Sequence, residues 1–238
     1  MVLPLYLAMT AAEMFSRCSL PARFAYMACH FSPYTQGITN IPDQLPPGAV
    51  LILNDRMCCR GHSADLVVTQ LLEVITRQNC ESVLLDFQRP PEIESSAMVN
   101  TIIQSLPCPV AVTEGYGAGH SCPVFLSPAP VLMPLSEYLE PWTGREIWLE
   151  AALCQEVITV TDGGTEYTPV FPTGELTGGF YEETLRCMYH TEVTPDQIRF
   201  TLFDTPETLE QKLEHAHSLG VSRAVGLWQE LKTLRPQM

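Results

Sequence analysis

The sequence predicts an α/β protein built as a modified (β/α)8 barrel of the TIM type, and three observations predict it. At 238 residues the chain has the length of one such barrel and can bury a large core without disulfide or metal staples. Short runs rich in Val, Ile and Leu alternate with segments of helical spacing. Those runs are apolar on both faces, as parallel strands are when helices cover one side and a filled barrel interior the other.

Residues 5–17 carry apolar side chains at Leu7, Met9, Ala12, Met14 and Phe15, a loose helical spacing among good helix formers, and predict a helix. Residues 24–30 form a short apolar run ahead of a Ser-Pro-Tyr-Thr-Gln-Gly loop, and 49–54 a second one launched by Pro-Pro-Gly; both predict buried strands. Leu66, Val67, Leu71, Leu72, Val74 and Ile75 place a helix over 63–78 with Ser63 as its N-cap. A strand over 82–87 completes a parallel, right-handed β-helix-β unit. A helix over 94–105 and a strand over 109–113 follow.

The regularity then weakens. A strand-like run at 123–126 comes too soon after Glu114 for a crossover helix, the Pro-rich 123–134 predicts an extended surface connection, and 146–152 is the next strand-like run. Across 156–171, Val-Ile-Thr-Val-Thr, Asp-Gly-Gly and Glu-Tyr-Thr-Pro-Val form a hairpin signature, and 187–193 with 198–203 form another across Thr194-Pro195-Asp196-Gln197. These four antiparallel segments predict a small sheet inserted over 156–203 in a single domain of 1–238. Thr205 as cap, Pro206 at the first position and Gly220 as terminator bound a helix over 205–219, and 224–228 is the closing strand. Only two clear strands precede 82–87, so a closed barrel and one short of a β/α step both remain open.

With 27 acidic and 13 basic side chains the formal charge is -14, a field that repels phosphate backbones and anionic leaflets and argues against nucleic acid and membrane as partners. Residues 1–20 open apolar, but no basic residue precedes the run and Glu13 and Arg17 interrupt it, so neither signal peptide nor anchor is expected. Nine cysteines (Cys18, Cys29, Cys58, Cys59, Cys80, Cys108, Cys122, Cys154, Cys187) are scattered through apolar runs and read mostly as reduced and buried. Together with the missing export signal they predict a cytoplasmic address.

Two segments carry a family resemblance. Asp204-Thr-Pro-Glu-Thr-Leu-Glu-Gln-Lys212, running on to Ala216, Gly220 and Gly226-Leu-Trp228, resembles the terminal segment of family 18 glycoside hydrolases, the family of chitinases and spore cortex hydrolases. That family ends in an Asp, a Ser or Thr, a Lys, an Ala, a Gly and a late-strand Trp at this spacing, with a small α+β insertion before the last helix. Glu81-Ser-Val-Leu-Leu-Asp-Phe-Gln88 lies without a gap on its strand-four signature of Asp, Gly, Ile, Asp, Ile, Asp, aromatic, Glu. The architectural likeness covers roughly residues 49–231.

The resemblance implies a ligand at the carboxyl ends of the strands. It also implies a general acid at the last signature position and an Asp that orients the substrate's own acetamido nucleophile. Here Asp86 keeps the orienting position, Leu84 replaces the middle Asp, Glu81 the first, and Gln88 the acid. A carboxamide cannot deliver a proton to a leaving oxygen, and positioned proton transfer is worth ~10² to 10⁴ in rate. Conventional family chemistry is therefore expected to be absent. The run 124–128 also lacks the family's Met-x-Tyr-Asp.

Asp55, Glu114, Glu150 and Glu230 each fall at or near the end of an apolar strand, so a shared mouth would gather them with Asp86. Closely spaced carboxylates raise one another's pKa and can supply an acid and a base; the plainer expectation for any one of them is a strand end facing solvent. Glu114-Gly-Tyr116-Gly-Ala-Gly-His120 adds a flexible, aromatic-bearing loop, and Trp228, at the position of the family's pocket-floor tryptophan, offers a stacking face for a sugar. Trp148, inside a strand, reads as core. The expected ligand-binding set is Asp55, Asp86, Gln88, Glu114, Tyr116, Glu150, Trp228 and Glu230, with Asp86, Glu114 and Glu150 as catalytic candidates.

Cys58-Cys59-Arg-Gly-His62 and His120-Ser-Cys122 lack the spacing of a zinc site, so no metal and no cofactor is expected. Glu207, Glu210, Lys212 and Glu214 read as a solvated helix face. The leading expectation is a barrel that has lost the conventional acid and binds a carbohydrate-like or other small-molecule ligand. The alternatives are a hydrolase using Glu114, Glu150 or Asp86, or a scaffold whose acidic surface or hairpin sheet binds another protein.

Overall fold

The computed structural model describes residues 3–17, 19–170, 176 and 178–232. In chain order the first part comprises β1 (Leu5–Met9), α1 (Ala11–Phe15), β2 (Phe24–Phe31), β3 (Ile38–Thr39), β4 (Val50–Asn54) and α2 (Ala64–Gln78). It continues with β5 (Ser82–Asp86), α3 (Ile93–Ser105), β6 (Val110–Thr113), β7 (Val124–Leu126), α4 (Leu135–Leu139) and β8 (Ile147–Ala151). After these come β9 (Gln155–Thr161), β10 (Gly164–Pro169), β11 (Phe180–Glu182), β12 (Cys187–Val193), β13 (Gln197–Phe203), α5 (Pro206–Ser218), β14 (Val221–Leu227) and α6 (Trp228–Leu231).

Eight parallel strands, β1, β2, β4 to β8 and β14, close into a barrel. Closure falls to β1, which pairs with β14 on one edge (Leu7 opposite Gly226) and with β2 on the other (Leu7 opposite Phe24). The helix expected over 5–17 is thus a correction: its first half is a strand and only 11–15 is helical. Helix propensity differences are at most ~0.7 kcal/mol per ordinary residue, whereas an unclosed barrel would leave two strand edges unpaired. Thr10 then starts α1 with a capping box, its hydroxyl accepting from Glu13 N at 3.3 Å while Glu13 Oε2 accepts from Thr10 N at 2.8 Å. Three barrel strands, not two, precede β5, so the eight are complete, although β2 runs on to β4 through β3 and β6 to β7 through a 3-10 turn, without an α-helix in either connection.

Period-two alternation fills the barrel. Tyr6, Ala8, Ile52, Leu84, Phe125, Trp148 and Val225 point inward and form one core cluster. At the amino-terminal end of the strands, Arg223 pairs with Glu81, bonds Ser82 Oγ at 3.0 Å and lies over the Trp148 ring at 4.7 Å, while Tyr6 OH donates to Glu81 at 2.5 Å. The outward faces pack against the helices; α2, capped by Ser63 at Leu66 N, buries Val67, Leu71, Val74 and Ile75.

The inserted sheet runs β10-β9-β13-β12-β11, antiparallel throughout. It holds the four segments read from sequence plus β11, and residue 171 lies outside the described residues. Leu202 and Cys187 from this sheet pack on Val131 of the β7–α4 connection. That packing corrects the expectation of a surface segment at 123–134, where 124–126 is a buried barrel strand and Val131 is fully buried.

Lys212 is the other departure on the surface map. It is buried, with Nζ 2.7 Å from Asp204 Oδ1 in an ion pair rather than a well-directed hydrogen bond. Asp204 Oδ2 also accepts from Cys154 N at 3.2 Å, so this pair ties α5 to the base of the insertion. The closing strand begins at Val221, and Trp228 heads α6 instead of ending the strand. The described cysteines are free, with Cys29, Cys59, Cys80 and Cys187 buried and Cys58 exposed; Cys18 lies outside the described residues. No described helix is long and apolar enough to cross a membrane.

Candidate functional site at the barrel mouth

The alternation that fills the lumen also builds the site. Two residues beyond inward-facing Ile52, Leu84 and Trp148 stand Asn54, Asp86 and Glu150, at the carboxyl ends of β4, β5 and β8. They open into a cavity of about 730 Å³ whose apolar surface includes Ile52, Leu84, Phe125 and Val225. Thr10, His30, Asn40, Asn54, Asp55, Arg56, Asp86, Gln88, Arg89 and Glu150 supply its polar groups. A second cavity of about 220 Å³ is lined by Glu114, Thr113 and Ser127 among others, and Gln88, Arg89, Phe125 and Glu150 border both.

Asp55 shapes the exit from β5. Its buried carboxylate accepts from Gln88 N and Arg89 N, each at 2.9 Å, and so fixes the turn that carries the position-88 side chain. The Gln88 amide in turn donates to Asp86 Oδ1. Burial, then the Asp55 charge, raises the Asp86 carboxyl above its usual range, while the Gln88 bond opposes the shift. Glu150 receives no hydrogen bond from the described residues. Burial first, then the charges of Asp86 and Glu230, push it up to about 7.

The remaining sequence candidates divide. Glu114 stands in the smaller cavity and accepts from Ser127 Oγ at 3.3 Å. Glu230 lines neither cavity and acts on Glu150 through its charge alone. Tyr116, expected in a flexible loop, is buried in a 3-10 turn over Glu114–Tyr116, donating to Ser95 Oγ at 2.9 Å with its ring edge-on to Phe87. Trp228 is outside both linings, with the Arg17 guanidinium 4.4 Å above its ring. Both His62 nitrogens lie against backbone carbonyls, of Cys59 at 3.1 Å and Ser32 at 2.9 Å. Among the described residues no cluster of three His, Cys, Asp or Glu could hold a metal.

Sequence reasoning missed Thr10, His30, Asn40, Asn54, Arg56 and Arg89. Asn54 carried a usable signal, because it ends a Val-Leu-Ile run as Asp86 does. Thr10 carried none while its segment read as one continuous helix.

No protein-family model matches the chain, and no curated protein sequence matches it significantly. Solved structures do. It is similar to a spore cortex-lytic enzyme of Bacillus megaterium (TM-score 0.56, 10% identity, covering 95% of this chain and 70% of that one). It is likewise similar to a glycoside hydrolase family 18 N-acetylglucosaminidase of Paenibacillus barengoltzii (TM-score 0.59, 10% identity, 94% of each chain). A family 18 chitinase of Cycas revoluta in complex with (GlcNAc)4 matches at TM-score 0.59 and 10% identity over 97% of each chain. At such identity the likeness is one of fold: the chain has the barrel of these enzymes.

Proposed function

We propose that the chain binds a carbohydrate-like ligand at the carboxyl-terminal mouth of its barrel and does not turn it over through an acid at position 88. The observation that carries this is the Gln88 amide donating to Asp86 on the wall of a cavity of about 730 Å³. That volume is within the range of ~300–1,000 Å³ found for small-molecule sites. Asn54, Asp86 and Glu150 offer acceptors to a ligand rich in hydroxyl groups. The (GlcNAc)4 seen in the Cycas revoluta chitinase supports N-acetylated oligosaccharides as the first probes. Cys29, Cys59, Cys80 and Cys187, buried as free thiols, support a reducing, cytoplasmic setting.

The test is thermal unfolding with tetra-N-acetylchitotetraose. Ligand at ten times its Kd stabilises by ~1.4 kcal/mol, or ~3–6 °C in Tm for a chain of this size, and Asp86→Ala should remove the shift. Absence of any shift at millimolar ligand, or a shift indifferent to Asp86, overturns the proposal.

A further inference from the structure

We propose that Glu150 donates a proton to the bond joining two ligand units seated in the two cavities, with Asp86 as the base that activates water. The inference presupposes the carbohydrate site and adds chemistry to it. A ligand with one unit in each cavity has its linkage beside the residues common to both, which are Gln88, Arg89, Phe125 and Glu150. Phe125 has no exchangeable proton, Arg89 keeps its protons at any working pH, and the Gln88 amide is not an acid. Glu150 is the one that can both hold a proton and release it.

The surroundings divide charge and proton between two carboxyl groups. Asp86 receives the Gln88 amide, a bond that favours the ionised form, while Glu150 receives no donor among the described residues. The groups acting on Glu150 are Asp86 on β5 and Glu230 on α6; Tyr138 on α4 and Cys154 beyond β8 stay neutral near pH 7, burial raising both. An anion at Asp86 and a proton at Glu150 are the states that a base and an acid require before reaction. The exchange of acid for amide at position 88 therefore relocates the proton.

In the step, neutral Glu150 gives its proton to the bridging oxygen as the bond from that oxygen to the anomeric carbon breaks, the bonding pair staying with oxygen. Water attacks the carbon and yields its own proton to the Asp86 carboxylate. One water is consumed, Glu150 ends ionised and Asp86 protonated, and exchange with solvent restores both.

The experiment uses the full chain with two probes, tetra-N-acetylchitotetraose and 4-nitrophenyl di-N-acetylchitobioside, measuring binding by calorimetry and cleavage by product release. Wild type should cleave both, with an alkaline limb near pH 7 because the acid must be protonated. Glu150→Gln should lose ~10² to 10⁴ in kcat on the tetrasaccharide and less than about tenfold on the nitrophenyl glycoside, whose leaving group needs little protonation. Its binding should hold within about threefold, and its melting at pH 5 should match wild type. Gln88→Ala should move the alkaline limb to lower pH. Binding without cleavage by wild type sinks the acid role and leaves the carbohydrate site standing. Cleavage untouched by Glu150→Gln, or equal losses on both probes, also sinks it, and failure to bind removes both ideas.

Discussion

An amide at position 88 changes what its neighbours can be. A carboxylic acid there could act on a ligand, whereas an amide donates to Asp86 and favours its charge. Burial first, then that charge and Glu230, keep the proton on Glu150 up to about pH 7. Linkage fixes the sign: between the ordinary value of 4.5 and about 7 the folded state binds a proton that the unfolded chain has released. Stability therefore falls as pH rises through that window, by at most about 3 kcal/mol at 1.36 kcal/mol per pKa unit. Glu150→Gln, which does not titrate, should match wild type near pH 4.5 and exceed it by roughly 1–3 kcal/mol at pH 8. Urea unfolding across this range reads the difference directly, and a gap independent of pH would contradict the assignment.

The elements around the mouth are held by a few specific contacts. β14 passes so close to β8 that a Cβ at Gly226 would overlap both Leu231 and the Ala151 carbonyl, and this approach sets the wall beside Glu150. On α5, charge pattern alone suggested that Lys212 faces water. A lysine with Glu207, Glu210 and Glu214 on the same short helix looks the same in sequence whether solvent or a buried Asp204 is its partner. Lys212→Met would leave Asp204 charged and buried, at a cost of about 3–5 kcal/mol. Adding Asp204→Asn should recover part of that loss. A double-mutant cycle by chemical denaturation measures it, and a single-variant cost below about 1 kcal/mol would mean that the pair is solvated.

Across the whole molecule, one end of the lumen is closed by an ion pair and the other opens into a cavity lined by polar groups. At the amino-terminal end Glu81 and Arg223, 142 residues apart, pair beneath Trp148, and Tyr6 joins them from β1. Three strands distant in the chain meet there, so Glu81→Gln should lower global stability, not local order. With Glu81 and Arg223 side chains 35% and 22% exposed, solvent screening limits the loss to ~1–2 kcal/mol, or ~2–8 °C in Tm. The denaturant slope should not change, and a fall in that slope would show that the barrel itself had loosened.

Length, the double-faced apolar strands and the helix signals were enough to determine the barrel class, because they are local: a period of two or 3.6 and a cap can be read from neighbouring residues. Asp86 and Gln88 were legible for the same reason, lying two residues apart where β5 ends and its exit turn begins. Only the tertiary structure decided that residues 5–9 are a strand, since β1 exists by pairing with partners near residues 24 and 224. Only it removed Tyr116 and Trp228 from the linings and buried Lys212. Those outcomes depend on which surfaces meet when the sheet closes, and closure is a property of contacts far apart in the chain.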